Sequence, residues 1–147
     1  MLHPQDSLQR IAYSLAATFL GRMCLSGGIC ELPAASWQLA CDAIAFYRKC
    51  APVIDNGKSR RFGETGKSWR HPQGWQAVVR SSADRALVVL HTFAGAPDEI
   101  WIKLPAKAEM LESFPATSPT AATVAGGWLH VKTGGDFTGT VFLLTLR

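Results

Sequence analysis

At 147 residues the chain is long enough for one ordinary domain, or for a small domain with a piece of another. Hydrophobic residues make up 48% of it and charged residues 18%, a balance that excludes an intrinsically disordered chain. A net charge of +4 is too small to define a nucleic-acid or membrane-surface protein by itself.

Taken in order, residues 6–19 predict an amphipathic helix. Asp6 or Ser7 caps it, Leu8, Ile11, Ala12, Leu15 and Phe19 recur at spacings of three and four, and Gly21 ends it. The apolar run Arg22-Met23-Cys24-Leu25-Ser26 stops at Gly27-Gly28 and predicts a short buried strand over 23–26. Pro33 precedes a second helix, capped by Ser36 and closed by Pro52, with Trp37, Ala40, Cys41, Ile44, Tyr47 and Ala51 along one face. Helix, strand, helix is the unit of an α/β barrel or a doubly wound sheet, and one strand forms no sheet. Residues 55–73 are polar and glycine-rich, with Lys58, Arg60, Arg61, Lys67 and Arg70, and read as a linker.

From Gly74 onward strands dominate. Two apolar runs, 74–80 and 86–93, flank Ser81-Ser82-Ala83-Asp84-Arg85 and predict an antiparallel hairpin. The second run is apolar enough to be a central strand covered on both faces. Further strands are expected over 99–104, 110–114, 128–132 and 140–146, making a small antiparallel β-sandwich. The fold class expected is α+β: an N-terminal helix-strand-helix unit followed by that sandwich.

The four cysteines, at 24, 30, 41 and 50, form no C-x-x-C pair, which excludes zinc-ribbon and thioredoxin motifs. Cys41 and Cys50 fall in one helix, roughly 13 Å apart, too far for a disulfide. Free, mostly buried thiols in a reducing compartment are expected. The first residues carry no basic n-region, and no run of about twenty uncharged apolar residues occurs, so a cytoplasmic chain with no membrane partner is expected.

Gly66-Lys67-Ser68 looks like the end of a phosphate-binding loop, but Arg61 stands where the motif needs its first glycine, and Trp69-Arg70-His71-Pro72 follows where a helix should open. Leu25-Ser26-Gly27 is half of a nucleophile elbow with Cys24 in place of the first glycine. His3, His71, His91 and His130 show no ligand spacing, so no metal is expected, and His91 reads as a hydrogen-bonded core or edge residue. Asp98 and Glu99 are adjacent and point to opposite faces of a strand, so they cannot flank one glycosidic bond. The basic stretch from Lys58 to Arg70 interleaves Phe62 and Trp69 with cations, a composition able to hold a nucleic-acid backbone or a sugar face. The charge does not continue along its neighbours, and a solvated loop with no nucleic-acid partner is the reading taken.

Three collinear stretches carry a family likeness. Tyr13–Ala17 with Leu20–Gly27, then Ala43–Tyr47 with Pro52–Ile54, then Gly74-Trp75-Gln76-Ala77-Val78-Val79-Arg80 resemble the C-terminal end of the α-galactosidase (melibiase) family of glycoside hydrolases. The resemblance implies a (β/α)8 catalytic barrel followed by a β-sandwich. Residues 1–54 would be the last barrel unit, 55–73 a linker and 74–147 the C-terminal sandwich domain. The family's two catalytic aspartates sit on earlier barrel strands, and a whole barrel takes roughly 250 residues. The resemblance therefore implies a C-terminal portion with no catalytic residue and no cofactor, inactive alone. Ser26, Gly27 and Gly28, at a barrel strand end, would be its substrate-binding positions. Implied partners are galactosides and an upstream barrel polypeptide, or self-association through Ile11, Leu15, Phe19, Ile44 and Tyr47, a face a barrel would cover. The alternative is a non-catalytic carbohydrate-binding sandwich using Trp69, Trp75 or Trp128.

Overall fold

The computed structural model describes residues 1–63 and 70–147. Helix α1 (Leu8–Thr18) starts at Ser7, whose Oγ accepts the Arg10 N–H at 3.2 Å and so satisfies one donor of the first turn. Helix α2 (Ala34–Asn56) begins before Ser36, which is buried in its first turn, and it runs through Pro52 instead of ending there. Pro52 forfeits one backbone bond. Burial of Val53 and Ile54 offsets that loss, and the Asn56 side-chain amide donates to the Pro52 carbonyl at 3.1 Å. The α2 face turned inward is Ala40, Ala43, Phe46, Cys50 and Val53, about one residue round from the face expected. The reason is visible at positions 46 and 47. Phe46 has no polar atom and enters the core beside Phe19 and Phe114. Tyr47 stays at the rim, where its hydroxyl donates to the Gly21 carbonyl at 2.7 Å and receives the Met23 N–H at 3.3 Å.

Between the helices, residues 23–26 form no strand. The segment has no sheet beside it, and a single parallel bridge joins Gly27 to Leu2. Eight strands follow: β1 (Lys58–Phe62), β2 (Trp75–Ser81), β3 (Arg85–Thr92), β4 (Glu99–Lys103), β5 (Ala108–Phe114), β6 (Ala121–Ala125), β7 (Trp128–Lys132) and β8 (Gly139–Leu146). All pair antiparallel, in a five-stranded sheet of order β1-β2-β3-β8-β5 and a three-stranded sheet of order β4-β7-β6. Two helices followed by two antiparallel sheets make the chain α+β. Strand β1 lies in the stretch read from sequence as linker. Strand β6, also not expected, is alanine-rich and is held to β7 by the two-residue turn Gly126-Gly127, both with positive φ.

The layers stack as helices, five-stranded sheet, three-stranded sheet. Strand β3 is buried on both faces, as its apolar run predicts. Leu87 and Val89 meet the helices together with Val141, Leu143 and Phe114. Val88 and Leu90 meet Ile100, Ile102, Leu129 and Val131 of the smaller sheet. The α1 face expected to lie bare is covered by the chain's own sheet: Ile11 and Leu15 are 0% exposed and Phe19 1%. Helix α1 sits so close to β8 that a Cβ at Gly139 would stand 2.7 Å from the Tyr13 Cα.

Candidate functional site

Ser26 and Gly27 are exposed and Gly28 half-buried, at a turn clamped by the N-terminal segment. The Leu2 N–H donates to the Ser26 carbonyl at 2.8 Å, and the Gly28 N–H donates to the Leu2 carbonyl at 3.0 Å. Gly27 has φ of +108°, and a Cβ there would run into the Leu2 carbonyl. The geometry thus gives Gly27 a backbone reason, whereas a Cβ at Gly28 would lie nearest the Pro4 ring, at 3.1 Å. The Ser26 backbone is engaged with Leu2, and among the described residues no acid and histidine pair is assembled on its hydroxyl.

The solvent face of the three-stranded sheet is built differently. Period-two alternation turns Ile100 and Ile102 inward and Glu99, Trp101 and Lys103 outward. Across the sheet Trp101 is level with His130 of β7, which is level with Thr123 of β6. Lys103 is level with Trp128. Trp101 and His130 stack with ring centroids 4.0 Å apart and planes 13° from parallel, and His130 Nε2 meets Glu99 Oε2 at 3.2 Å. The Lys103 ammonium lies 5.2 Å from the centre of the Trp128 ring, a cation–π contact. Trp101 is 55% exposed and Trp128 39%. Two large rings left in water on one sheet face, Trp101 backed by the His130 imidazole and Trp128 by the Lys103 ammonium, make an aromatic platform. An exposed indole of this kind is able to stack on the C–H face of a ring-shaped ligand.

Of the aromatic candidates read from sequence, Trp128 belongs to this platform. Trp75 does not: it is half-buried and packs on the core between the sheets. Trp69 and the Gly66-Lys67-Ser68 stretch lie outside the described residues. Trp101 was missed, although its alternation with buried isoleucines was the signal.

Beside β1 the basic residues line a groove of about 450 Å³, with Lys58, Arg60 and Phe62 on one wall and Lys103 and Pro105 on another. A second cleft of about 470 Å³ between α1, α2 and the 115–119 loop is mainly apolar, and Asp42 is the one titratable side chain among its described lining residues.

Other chemistry-bearing side chains serve the fold. His91 is buried, edge-on to Tyr13, and its Nε2–H donates to the Tyr13 carbonyl at 3.2 Å. Burial holds its pKa below the ordinary imidazole value, with that hydrogen bond pulling the other way. All four cysteines are free thiols, but only Cys50 is fully buried: Cys24 and Cys30 are exposed and Cys41 half-buried, against the expectation of mostly buried thiols. The helix-strand-helix reading that would have covered Cys24 fails because 23–26 joins no sheet. Burial pushes the Cys50 thiol up to about 12. Among the described residues no three His, Cys, Asp and Glu side chains cluster as metal ligands would, and no helix is long and apolar enough to cross a membrane.

No family model matches the chain, and no curated protein matches it. Among solved structures it is similar to an alpha-amylase from H. orenii, with a TM-score of 0.46 and 18% identity over 76% of this chain. The match spans 20% of the amylase chain. The likeness to α-galactosidases therefore stands on sequence motifs alone.

Proposed function

We propose that the chain is the C-terminal, non-catalytic part of a glycoside hydrolase of the α-galactosidase type. One observation carries this reading. The three stretches that resemble the family converge on one side chain: the Arg80 guanidinium donates to the Leu20 carbonyl at 3.2 Å and to the Ile54 carbonyl at 2.7 Å. Leu20, Ile54 and Arg80 belong to the first, second and third of those stretches. A shared hydrogen-bond centre supports reading the three stretches as parts of one packed unit. The role fits a supporting domain, with the bond-breaking carboxylates carried on a barrel elsewhere. Incubating the purified chain with an aryl α-galactoside should release no phenol above buffer, and release proportional to protein concentration overturns the proposal.

The Trp101–His130 platform favours a second reading, in which the sandwich also holds a sugar. Affinity electrophoresis through a galactoside polymer should then retard the chain, and Trp101→Ala should remove the retardation. Because Trp101 is half in water, that variant should lose less than about 1 kcal/mol of stability. Equal mobility with and without the polymer rejects this reading.

A further inference from the structure

We infer that the groove between β1 and β4 takes the oxyanion of an acidic sugar. The inference rests on the sugar reading of the Trp101 face and adds the ligand's charge to it. Strand β1 is an edge strand, and pairing sets Lys58 opposite Ser81, Arg60 opposite Val79 and Phe62 opposite Ala77. With a period of two, Lys58, Arg60 and Phe62 share one side, the side on which Val79 and Ala77 enter the core between the sheets. Lys103, at the end of the edge strand β4, closes the groove from the smaller sheet. Lys58 and Arg60 therefore bring two cationic side chains to one concavity, Lys103 borders it with its ammonium turned toward Trp128, and no acid is among its described lining residues.

Elsewhere on the surface the exposed cations Lys49 and Arg147 have carboxylate partners, Glu112 at 2.7 Å and Glu109 at 2.6 Å. Like charges gathered without a counter-charge repel one another, and an anion held between them relieves that repulsion through charge-assisted hydrogen bonds. The Ser81 hydroxyl adds a neutral donor and the Phe62 ring an apolar wall. Lys103 connects the two surfaces, since its ammonium also lies against Trp128 of the aromatic platform. A ligand with an apolar ring face and an oxyanion a short distance away fits both together. A nucleic-acid strand fits less well: the groove offers one ring, and its cations cover only three residues of β1 and the end of β4.

The test is calorimetric titration of the intact chain with trigalacturonate, neutral galactotriose and inorganic phosphate, at about 50 mM and about 300 mM NaCl. Trigalacturonate should bind about tenfold more tightly than galactotriose at the lower salt, with the advantage shrinking at the higher. Phosphate alone should bind weakly and compete with the uronate, which separates recognition of the bare oxyanion from recognition of the sugar carrying it. The exposed pair K58Q/R60Q should abolish the advantage and leave galactotriose binding and thermal midpoint unchanged. Equal affinity for the two trisaccharides, an advantage that survives K58Q/R60Q, or tighter binding of a DNA oligonucleotide than of the uronate overturns the inference. If galactotriose alone fails to bind while uptake of uronate remains Arg60-dependent, the sugar reading of the Trp101 face falls and the anion groove stands.

Discussion

At Arg80 one guanidinium joins the turn after α1, the last turn of α2 and, through Ser59 Oγ at 2.8 Å, the edge strand β1. Removing it leaves carbonyls without their donor, so R80M should cost about 2 kcal/mol of stability, read as a shift in urea midpoint. R80K should recover little, because an ammonium cannot hold the same forked geometry. His91 gives a second outcome at this scale. Its folded-state pKa lies below the ordinary value, because burial penalises the cation. The unfolded chain protonates near pH ~6.5. Between the two values the unfolded state binds more protons, so stability is lost as pH falls below ~6.5 and regained as it rises. H91Q should flatten that dependence between pH ~7.5 and ~5.5, because glutamine donates a hydrogen bond without titrating; a slope equal to that of the parent chain refutes the assignment. Tertiary structure alone pairs Arg80 with carbonyls sixty and twenty-six residues away. Nothing in the local pattern around Gly74–Arg80 points to them.

Elements show where local signals suffice. Helix α1 and strands β3, β7 and β8 lie where periodicity predicts them, because each has a strong apolar repeat and a polar or glycine boundary. The Lys-Ser-Arg-Arg-Phe sequence of strand β1 has no apolar alternation and so resembles a linker. An edge strand with its side chains in solvent needs none. Residues 23–26 failed in the opposite way. They are apolar like a strand, yet a strand exists only when a neighbour supplies its hydrogen bonds, and the nearest is Leu2. The exposure of Cys24 follows from that irregular segment, and Cys30 lies exposed in the short 3-10 turn Ile29–Glu31. Thiol alkylation of the native chain should label these two rapidly, whereas Cys50 on the inner face of α2 should react only after unfolding. Rapid native labelling of Cys50 would show that α2 is not seated as described. The close approach of α1 to β8 should make G139V destabilising by about 2–3 kcal/mol, measured by denaturant unfolding, because the Tyr13 backbone and the Ala16 Cβ, neither able to swing aside, stand in its way.

For the molecule as a whole, the five-stranded sheet is the shared layer: one face belongs to the helical core and the other to the sandwich core. The two cores therefore share one layer, so losing either exposes a face of the same sheet, and unfolding should be one cooperative transition. Far-ultraviolet dichroism, dominated by the helices, and fluorescence of a W37F variant, whose other described tryptophans lie on the sheets, should give coincident curves. Two separated midpoints would mean that the helical layer melts by itself. The amino-acid pattern alone determined the α+β class, the hairpin of β2 and β3 and the double burial of β3, because apolar periodicity is a local property that survives without knowledge of partners. It also held the signal for the aromatic platform, in the alternation of Trp101 and Lys103 with buried isoleucines. Only the tertiary structure decided that the α1 face is closed by the chain's own sheet, that Trp101 lies on His130, and that Lys58, Arg60 and Lys103 line one groove. Each of these joins residues far apart in sequence, and which surfaces meet is set by the packing of whole layers.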